Sequence, residues 1–208
     1  MTELVLSDGA KTVVRKLTEK GYKAYAVGGC VRDLLRGRTP DDYDIATSAF
    51  PENVAEVFSA YDVIPTGLKH GTVTVVIDKI PYEITTFRKD GNYPDGRRPE
   101  KVEFVDDLKE DLSRRDFTVN AMAYNDDEGL IDPFGGEQDL KNKILRCVGD
   151  PEKRFTEDAL RILRAARFCS TLSLTAEEET ARKAIKLAYK LKNVSAERIF
   201  TEINKLLL

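Results

Sequence analysis

The residues of this sequence best suited to chemistry are two aspartates separated by a single residue, Asp42 and Asp44. The segment DYDIAT around them is typical of a β-strand, in which residues i and i+2 point to the same side. Two carboxylates on one side repel each other unless a cation lies between them, and Mg²⁺ prefers oxygen ligands of this kind. Two such ions, roughly 3.5–4 Å apart, can clamp an in-line phosphoryl displacement. Taken alone, the spacing fits a solvated turn equally well.

A glycine pair, Gly28-Gly29, lies upstream, between a predicted strand, YKAYAV, and a predicted short helix over 31–36. Glycine lets the backbone approach a phosphate closely, a helix start offers unpaired N–H groups, and Arg32 adds a positive charge. A glycine pair alone more often marks an ordinary turn. Together with Asp42 and Asp44, it favours a site for phosphate and metal.

A third acid, Glu83, lies in YEITTF, which reads as a strand. We predict a hairpin between this strand and TVTVVI, with Asp78 and Lys79 at the turn. Glu83 either faces solvent without a role, or accepts the proton of an attacking hydroxyl or holds a second metal ion; the pattern leaves these alternatives open. The Gly-, Pro- and charge-rich segment 88–100 is expected to be a long mobile loop.

Composition limits the possible classes of protein. The 208 residues suffice for a substantial core, and a net charge of −3 restricts any contact with nucleic acid to local patches. Three widely separated cysteines, Cys30, Cys147 and Cys169, argue against a disulfide framework and for a reducing cytoplasm. No apolar run reaches membrane-spanning length, so we expect no membrane contact. The single histidine, His70, excludes a multi-histidine metal site and is interpreted as a turn residue.

Other elements follow from periodicity and capping signals. Apolar spacing predicts a helix around 10–17, and Pro51 predicts the first turn of a helix over 51–60. Thr175 to Glu178 has the pattern of a capping box that opens a helix. Ser195 is a predicted cap of the last helix.

The chain changes character in its last third. From Thr156 onward helical patterns dominate, with few glycines or prolines. We therefore place a boundary near Gly149, which separates a mixed α/β domain, 1–149, from a helical domain, 150–208.

The segment from Gly28-Gly29 through Asp42-Tyr43-Asp44 resembles the signature of the DNA polymerase β-like nucleotidyltransferase superfamily. In detail it resembles the class II tRNA nucleotidyltransferases, which comprise CCA-adding enzymes and bacterial poly(A) polymerases. Four further blocks match in order: YEITTFR, RRDFTVNAMAY, DPFGG and EDALRILRAARF. Arg36 departs from the family pattern, which has leucine before the glycine. The resemblance implies an α/β (α+β) head with a mixed β-sheet flanked by helices, followed by an all-helical neck.

The resemblance also implies a reaction. An RNA 3′-hydroxyl attacks the α-phosphate of CTP or ATP, pyrophosphate leaves, and C, C and A are added to the 3′ end of tRNA without a nucleic-acid template. Asp42 and Asp44 would carry two Mg²⁺ ions, with Glu83 as a third catalytic acid.

Rival activities share these motifs. Poly(A) polymerases and relatives that add only CC or only A are the nearest alternatives, and the NAMAY block and the DGRRP segment favour the CCA branch with A addition. A non-catalytic nucleotide- or RNA-binding module is the alternative from another class. It is disfavoured because every matched position is intact.

The segment TEDALRILRAARF predicts one helix with an apolar face of Ala159, Ile162, Leu163 and Ala166. Composition alone suggests that its charges form a solvated face, with an Asp158–Arg161 pair worth a few tenths of a kcal/mol, on the order of other exposed pairs.

The resemblance implies instead that Asp158 and Arg161 read the incoming base. Cytosine and adenine both present an amino donor beside a ring-nitrogen acceptor, whereas uracil and guanine present an acceptor beside an N–H donor. A carboxylate accepts and a guanidinium donates, so the pair suits C and A. Arg164 and Arg167 are similar to residues that bind the same nucleotide at its triphosphate.

The block RRDFTVN resembles the ribose-binding block of the family. By this resemblance Arg115 contacts the nucleotide, and Asp116 or Asn120 binds the 2′-hydroxyl. Without it, the arginines are surface charges and Asp116 a helix cap. The glycines of DPFGG, at 132–136, either absorb a hinge movement between head and neck or form a turn.

The last predicted helix has an apolar face of Ile199, Ile203, Leu206 and Leu207, with little chain left to cover it. Family members continue into helical domains that hold the tRNA elbow. We therefore expect this chain to be the head and neck of a longer enzyme, with a truncated neck. We expect it to bind CTP and ATP with Mg²⁺ but tRNA only weakly, because the tRNA body would be held by the missing part.

Overall fold

The computed structural model of the chain describes residues 4–91 and 102–207. Its strands form one seven-stranded sheet and two small two-stranded sheets. In chain order, the strands are β1 Ala24–Val27, β2 Asp44–Thr47, β3 Asp62–Gly67, β4 Thr72–Ile77, β5 Ile80–Thr86, β6 Arg88–Asp90, β7 Val102–Phe104, β8 Ala123–Asn125, β9 Gly129–Ile131, β10 Ile144–Leu145 and β11 Thr175–Ala176.

The helices cover the sheet and make up the last third of the chain. Within the described residues, the α-helices are α1 Asp8–Glu19, α2 Gly29–Leu35, α3 Pro51–Val57, α4 Leu108–Ser113, α5 Gly136–Lys141, α6 Pro151–Glu157, α7 Leu160–Leu172, α8 Glu178–Leu187 and α9 Ala196–Leu207. Short 3-10 turns span Leu68–His70, Thr118–Asn120 and Ala188–Asn193. None of the helices in these ranges is long and apolar enough to cross a membrane.

The main sheet is mixed, with strand order β3-β4-β5-β2-β1-β8-β9. β2 and β5 are parallel and place Asp44 opposite Glu83, whereas β1 pairs antiparallel with both β2 and β8. The predicted β4–β5 hairpin is confirmed. Asp78 and Lys79 form its turn with φ of 51° and 67°, the backbone conformation expected of a two-residue hairpin turn.

Apolar side chains cover both faces of the sheet. Ala24 and Ala26 of β1 pack in the cluster that contains α1 and α3, whereas Tyr25 and Val27 pack in a second cluster with α4. All of β1 is therefore buried, which explains its unbroken apolar sequence. The predicted mixed sheet with flanking helices is confirmed.

A third apolar cluster includes residues from both sides of Gly149. Phe117 and Leu145 lie in it beside Phe155, Phe168 and Leu187. The short parallel pairing of β10 with β11 also crosses this position. The boundary near Gly149 stays a prediction.

The predicted capping box at Thr175 is wrong, although the helix it announced exists. Thr175 belongs to β11, and its N–H donates to the Lys143 carbonyl at 2.7 Å. The N-cap of α8 is Glu177, whose carboxylate accepts from the Thr180 N–H at 2.8 Å. α9 begins directly after Ser195, as predicted, and the Ser195 carbonyl accepts from the Ile199 N–H.

The segment TEDALRILRAARF is not one helix. α6 ends at Glu157, and Asp158 is extended at φ −147°, ψ 106° before α7 begins. The predicted apolar face is also partly wrong. Ala166 is exposed, while Ala165 and Phe168 are buried, because the larger Phe168 determines which side of α7 faces the core.

The first residues of the segment predicted as a long loop belong to a strand instead. Arg88–Asp90 and Val102–Phe104 pair as β6 and β7, and the intervening DGRRP segment lies outside the described residues. His70 occupies a 3-10 turn that ends at Gly71, and its carbonyl accepts a hydrogen bond from the Arg88 guanidinium. This placement supports a structural role for His70.

Candidate active site

The glycine turn joins β1 to α2. Gly28 has φ 77° and ψ −127°, a conformation suited to glycine, and its N–H donates to the Met122 carbonyl at 3.1 Å. A Cβ at this position would lie 2.8 Å from Nη1 of Arg115. The glycine therefore allows the Arg115 guanidinium to lie directly against the turn.

Arg115 is held by a buried acid that the sequence analysis did not single out. Asp111 is fully buried and accepts from Nη2 of Arg115 at 3.4 Å and from Nε of Arg114 at 3.0 Å. Burial opposes ionisation of Asp111, but the Arg114 and Arg115 guanidiniums lower its pKa overall. Both arginines thus form ion pairs with one ionised carboxylate.

The two sequence-predicted metal ligands lie at the start of β2. The strand is shorter than predicted, because it begins at Asp44 and leaves Asp42 in the preceding connection. Both aspartates are exposed and flank the buried Tyr43, so they still face the same way. Glu83 lies opposite Asp44 in the sheet register and is also exposed.

The electrostatics of these three acids suit a cation. Although Asp44 reaches solvent, the protein around its carboxylate removes part of the water shell and raises its pKa; repulsion by Asp42 and Glu83 raises it further, while Arg115 lowers it. Carboxylate oxygens are the ligands that Mg²⁺ prefers, and Mg²⁺ commonly takes one or two carboxylates and completes its shell with water and substrate phosphates. Among the described residues, no three or more His, Cys, Asp or Glu side chains form a ready-made metal cage. Asp42 and Asp44 themselves offer carboxylate oxygens of the kind that such a cation takes.

A buried polar network links α2 to α7. Asp116 accepts from Nε of Arg164 at 2.8 Å and from the Asn120 amide at 3.1 Å. The Asn120 carbonyl oxygen in turn accepts from Nη1 of Arg32 at 2.7 Å. Burial disfavours the Asp116 carboxylate, but Arg164 and the Asn120 hydrogen bond outweigh burial and lower its pKa to about 2.

Phe168 lies at the centre of three arginines. The guanidinium carbons of Arg32 and Arg164 each lie 5.3 Å from its ring centroid, and that of Arg167 lies at 4.2 Å. Cation–π attraction and the packing of Phe168 against Phe117 hold this arrangement. One aromatic ring thereby fixes cationic groups from α2 and α7 side by side.

A cavity of about 290 Å³ brings most of the predicted nucleotide-binding residues together. Its lining consists of Arg114, Arg115, Asp116, Asn120, Asp158, Leu160, Arg161, Arg164 and Arg198. Gly28 adjoins it next to Arg115, Arg32 adjoins it through its hydrogen bond to Asn120, and Gly29 lies beside Arg32. Arg167 does not line this cavity and instead faces a neighbouring one.

The break before α7 orients Asp158. Its carboxylate accepts from the Leu160 N–H at 3.0 Å and pairs with both terminal nitrogens of Arg198, at 3.2 and 2.7 Å. Arg161 donates to the Glu157 carboxylate and to the Arg114 carbonyl, at 2.7 and 3.2 Å. Asp158 and Arg161 therefore share a cavity, and each is oriented by further groups.

Helix α9 supplies two residues that sequence reasoning missed. Arg198 binds Asp158, and one turn later Glu202 accepts from Arg167 at 2.7 Å and from Arg164 at 3.5 Å. Glu202 is only 6% exposed. A glutamate is rarely buried to this extent unless a cation pairs with it, as the two arginines do here. The sequence carried one signal for these residues, because an arginine and a glutamate stand four positions apart beside the apolar face of α9.

The DPFGG block forms a fixed turn. The Asp132 carboxylate accepts from the N–H groups of Gly136 and Glu137, at 2.8 and 2.9 Å. A Cβ at Gly136 would lie 2.2 Å from the Thr118 carbonyl oxygen. The geometry supports a tight turn that packs against the segment carrying Asn120.

Cys30 lies within the glycine turn, but its thiol is buried. Burial raises the pKa of Cys30 to about 12, so the reactive thiolate is not formed at neutral pH. Burial of the thiol therefore argues against a chemical role for this cysteine in the site.

Two family models match the chain. One, described as "Poly A polymerase head domain", covers residues 24–146, and another, described as "Probable RNA and SrmB- binding site of polymerase A", covers residues 173–208. A CCA-adding enzyme of Lactobacillus delbrueckii subsp. bulgaricus is 53% identical over 199 residues, which is 96% of this chain and 50% of that protein. The chain spans about half the length of the curated relatives it matches.

Solved structures give the same picture. The CCA-adding enzyme of Bacillus stearothermophilus in complex with CTP has a TM-score of 0.87 and 46% identity, over 95% of this chain and 47% of that one. The Thermotoga maritima CCA-adding enzyme complexed with tRNA_CCA has a TM-score of 0.81 and 29% identity, over 99% of this chain and 48% of that one. Because the head-domain match alone covers more than half of its residues, the chain belongs to the poly(A) polymerase head-domain family of nucleotidyltransferases.

Proposed function

We propose that this chain is the nucleotide-adding part of an enzyme that attaches C, C and A to the 3′ end of tRNA from CTP and ATP. The observation that carries the proposal is one cavity in which Asp158, Arg161 and Asp116 converge beside the Asp42–Asp44 pair. The names of the relatives support the substrate assignment. In this assignment residues 1–149 form the catalytic head and 150–208 the helical neck.

The catalytic step is transfer of a nucleoside monophosphate. The RNA 3′-hydroxyl attacks the α-phosphate, and pyrophosphate leaves. Asp42 and Asp44 would hold two Mg²⁺ ions, which when bound polarise the α-phosphate and the attacking oxygen. Glu83, opposite Asp44, is placed to accept the proton of the hydroxyl or to complete the metal shell.

The remaining residues bind and orient the nucleotide. Arg115 and Arg164 supply positive charge for the triphosphate, together with Arg32 and Arg167, which are held around Phe168. Asp116 or Asn120 binds the ribose 2′-hydroxyl, which distinguishes ribonucleotides from deoxyribonucleotides.

Asp158 and Arg161 select the base. Asp158, held by Arg198, accepts from the exocyclic amino group, and Arg161 donates to the adjacent ring nitrogen. Uracil and guanine oppose these groups with an acceptor and a donor in the wrong positions. The protein side chains thus replace a nucleic-acid template.

Polyadenylation is the second candidate, because the matching family model carries that description. It would use the same site with ATP alone and would continue past one residue. The cavity of about 290 Å³ is lined by groups suited to both C and A, which favours the CCA reaction.

The test supplies Mg²⁺ and each labelled ribonucleotide to the protein and a tRNA that ends before its CCA. We expect incorporation of CMP, and of AMP after two cytidines, with no use of UTP or GTP. Asp42→Asn and Asp44→Asn should abolish incorporation, whereas Asp62→Asn, an exposed acid at the start of β3, should leave it unchanged. Repeated AMP addition without CTP would instead favour polyadenylation.

We also propose a cytoplasmic location. Cys30, Cys147 and Cys169 are all free thiols, which suits a reducing compartment.

A further inference from the structure

A second cavity, of about 370 Å³, lies beside the candidate nucleotide site and shares none of its lining residues. The end of α2 and the loop after it form one side, and α7 and α9 form the other. Arg32 connects the two cavities, since it lines the second and donates to Asn120 in the first. The loop also leads directly from Asp41, in the lining, to Asp42 of the candidate metal site.

The charge of this cleft is positive. Arg32, Arg36, Arg38, Arg167 and Lys205 line it, against the two acids Asp33 and Asp41. Two of these bases already have strong partners, because Arg32 binds Asp33 at 2.8 Å and Arg167 binds Glu202 at 2.7 Å. The surplus charge therefore resides on the other three bases.

Arg36 is the least satisfied of these bases. Its nearest acid, Asp33, is 4.0 Å away and already binds Arg32, and the buried Nη1 atom of Arg36 has no hydrogen-bond partner among the described residues. Burial lowers the pKa of Arg36, and the nearby Arg38 and Arg32 lower it further. An anion in the cleft would remove this repulsion.

Arg38, in the loop after α2, and Lys205, in α9, lie on opposite sides of the cleft. Both are exposed, and no ion pair joins either of them to another residue within 4–91 or 102–207. The hydroxyls of Thr39 and Thr171 add neutral hydrogen-bond groups. Such a combination is typical of sites that contact nucleic-acid backbone phosphate.

The net positive charge of the cleft attracts phosphate groups of every kind, so charge alone does not separate an RNA phosphodiester from a free polyphosphate. The position of the cleft favours RNA, because its lining leads through Asp41 to Asp42 of the candidate metal site. Lys205 also lies in the stretch that matches an RNA-binding family model.

We propose that the cleft between the Arg36–Arg38 loop and Lys205 binds a backbone phosphate of the RNA strand whose 3′ end enters the active site. This inference rests on the proposed function, because it takes RNA as the acceptor. The contact would be made by Arg36, Arg38 and Lys205 and would anchor the strand beside Asp42, while Arg32 and Arg167 at the inner side of the cleft stay assigned to the incoming nucleotide.

The test compares two double variants with the native chain. Arg38→Gln/Lys205→Gln removes two exposed charges from the cleft, and Arg15→Gln/Lys20→Gln removes two exposed charges from the end of α1. The affinity for a single-stranded ribo-oligonucleotide is measured from low to moderate salt, together with the affinities for CTP and for pyrophosphate. Each phosphate contact with single-stranded RNA contributes about 0.7 to the slope of log K against log salt.

In the cleft variant, we expect the slope of log K against log salt to decrease by about 0.7, the value of one phosphate contact, and RNA to bind about fivefold more weakly at low salt. Its affinities for CTP and pyrophosphate should match those of the native chain, and the α1 variant should behave as native in all three measurements. An unchanged slope, equal losses in both variants, or absence of RNA binding by the native chain would overturn the proposal. Selective loss of pyrophosphate binding would reassign the cleft to a free phosphate and also overturn it.

The assay separates this inference from the proposed function, because it measures binding without nucleotide addition. If the cleft variant shows the expected decrease in salt slope but the native chain adds no nucleotide, the proposed function is contradicted and the phosphate contact is supported.

Discussion

At the scale of single residues, Asp116 connects most of the candidate site. It accepts from Arg164 and Asn120, and Asn120 extends the network to Arg32 in α2. The side chain is only 8% exposed, so its charge depends on these partners. The same contacts that would position Asp116 for the proposed ribose contact therefore contribute to folding.

This contribution depends on pH. The Asp116 pKa of about 2 in the folded protein lies below its ordinary value of 3.8, so the carboxylate contributes about 2 kcal/mol of stability above pH 5. The contribution is lost as pH falls through 3.8 toward the folded value. In urea titrations, the gap in unfolding free energy between native protein and Asp116→Asn should be constant above pH 5 and close between pH 4 and about 2. Asp127→Asn, an exposed control, should show no such closing gap.

Gly28 gives a residue-level test of the turn. Gly28→Ala places a Cβ at positive φ and 2.8 Å from the Arg115 guanidinium, whereas Gly21→Ala has a similar φ of 84° but nothing within 4 Å. Gly21→Ala should lose about 1–2 kcal/mol of stability, and Gly28→Ala should lose more, because its ψ of −127° lies outside the left-handed helical region and its Cβ meets Arg115. Gly28→Ala alone should also weaken CTP binding, by calorimetric titration, because Arg115 must move. Equal CTP affinity in the two variants would show that Arg115 does not need this turn.

At the scale of elements, α9 orients α7. Arg198 binds Asp158, and Glu202 binds Arg164 and Arg167, so the groups proposed for the base and the triphosphate are oriented by a helix outside the five sequence blocks that carry the resemblance. The element that presents the chemistry and the element that positions it are thus different.

Removing the Arg198 side chain should weaken nucleotide binding through Asp158, the residue that Arg198 orients. Arg198→Ala leaves the Asp158 carboxylate without its bidentate partner, and we expect about tenfold weaker CTP and ATP binding. Glu197→Ala, an exposed change on the same helix, should bind both nucleotides as the native chain does. Native-like affinity of Arg198→Ala would mean that Asp158 is oriented by the Leu160 N–H alone.

The elements differ in how far sequence could predict them. The β4–β5 hairpin was predictable because its alternation and its turn at Asp78 and Lys79 are local. The break at Asp158 was not, because it depends on a carboxylate bonded to Arg198, 40 positions away. Thr175 likewise joined β11 because a distant carbonyl, that of Lys143, competes with helix capping.

At the scale of the whole molecule, the candidate site lies where the sheet and the helical part meet. The glycine turn and the aspartate pair come from the sheet, whereas Asp158, Arg161 and Arg164 come from the helices. Phe117 and Phe168 pack edge to face across this junction, with ring centroids 5.8 Å apart. Spacing suggested the glycine turn and the aspartate pair, and the family resemblance suggested the helical residues, but their convergence depends on this shared core, which no local pattern encodes.

In the proposed reaction, protein side chains rather than a nucleic-acid template select cytosine and adenine. The most direct measurement is the dissociation constant of the native chain for each of CTP, ATP, UTP and GTP with Mg²⁺, by calorimetric titration. A hydrogen-bonded base contact carries roughly 1–3 kcal/mol of discrimination, so CTP and ATP should bind about tenfold or more tightly than UTP and GTP. Equal affinities for all four nucleotides would contradict the assignment of Asp158 and Arg161 as the residues that read the base.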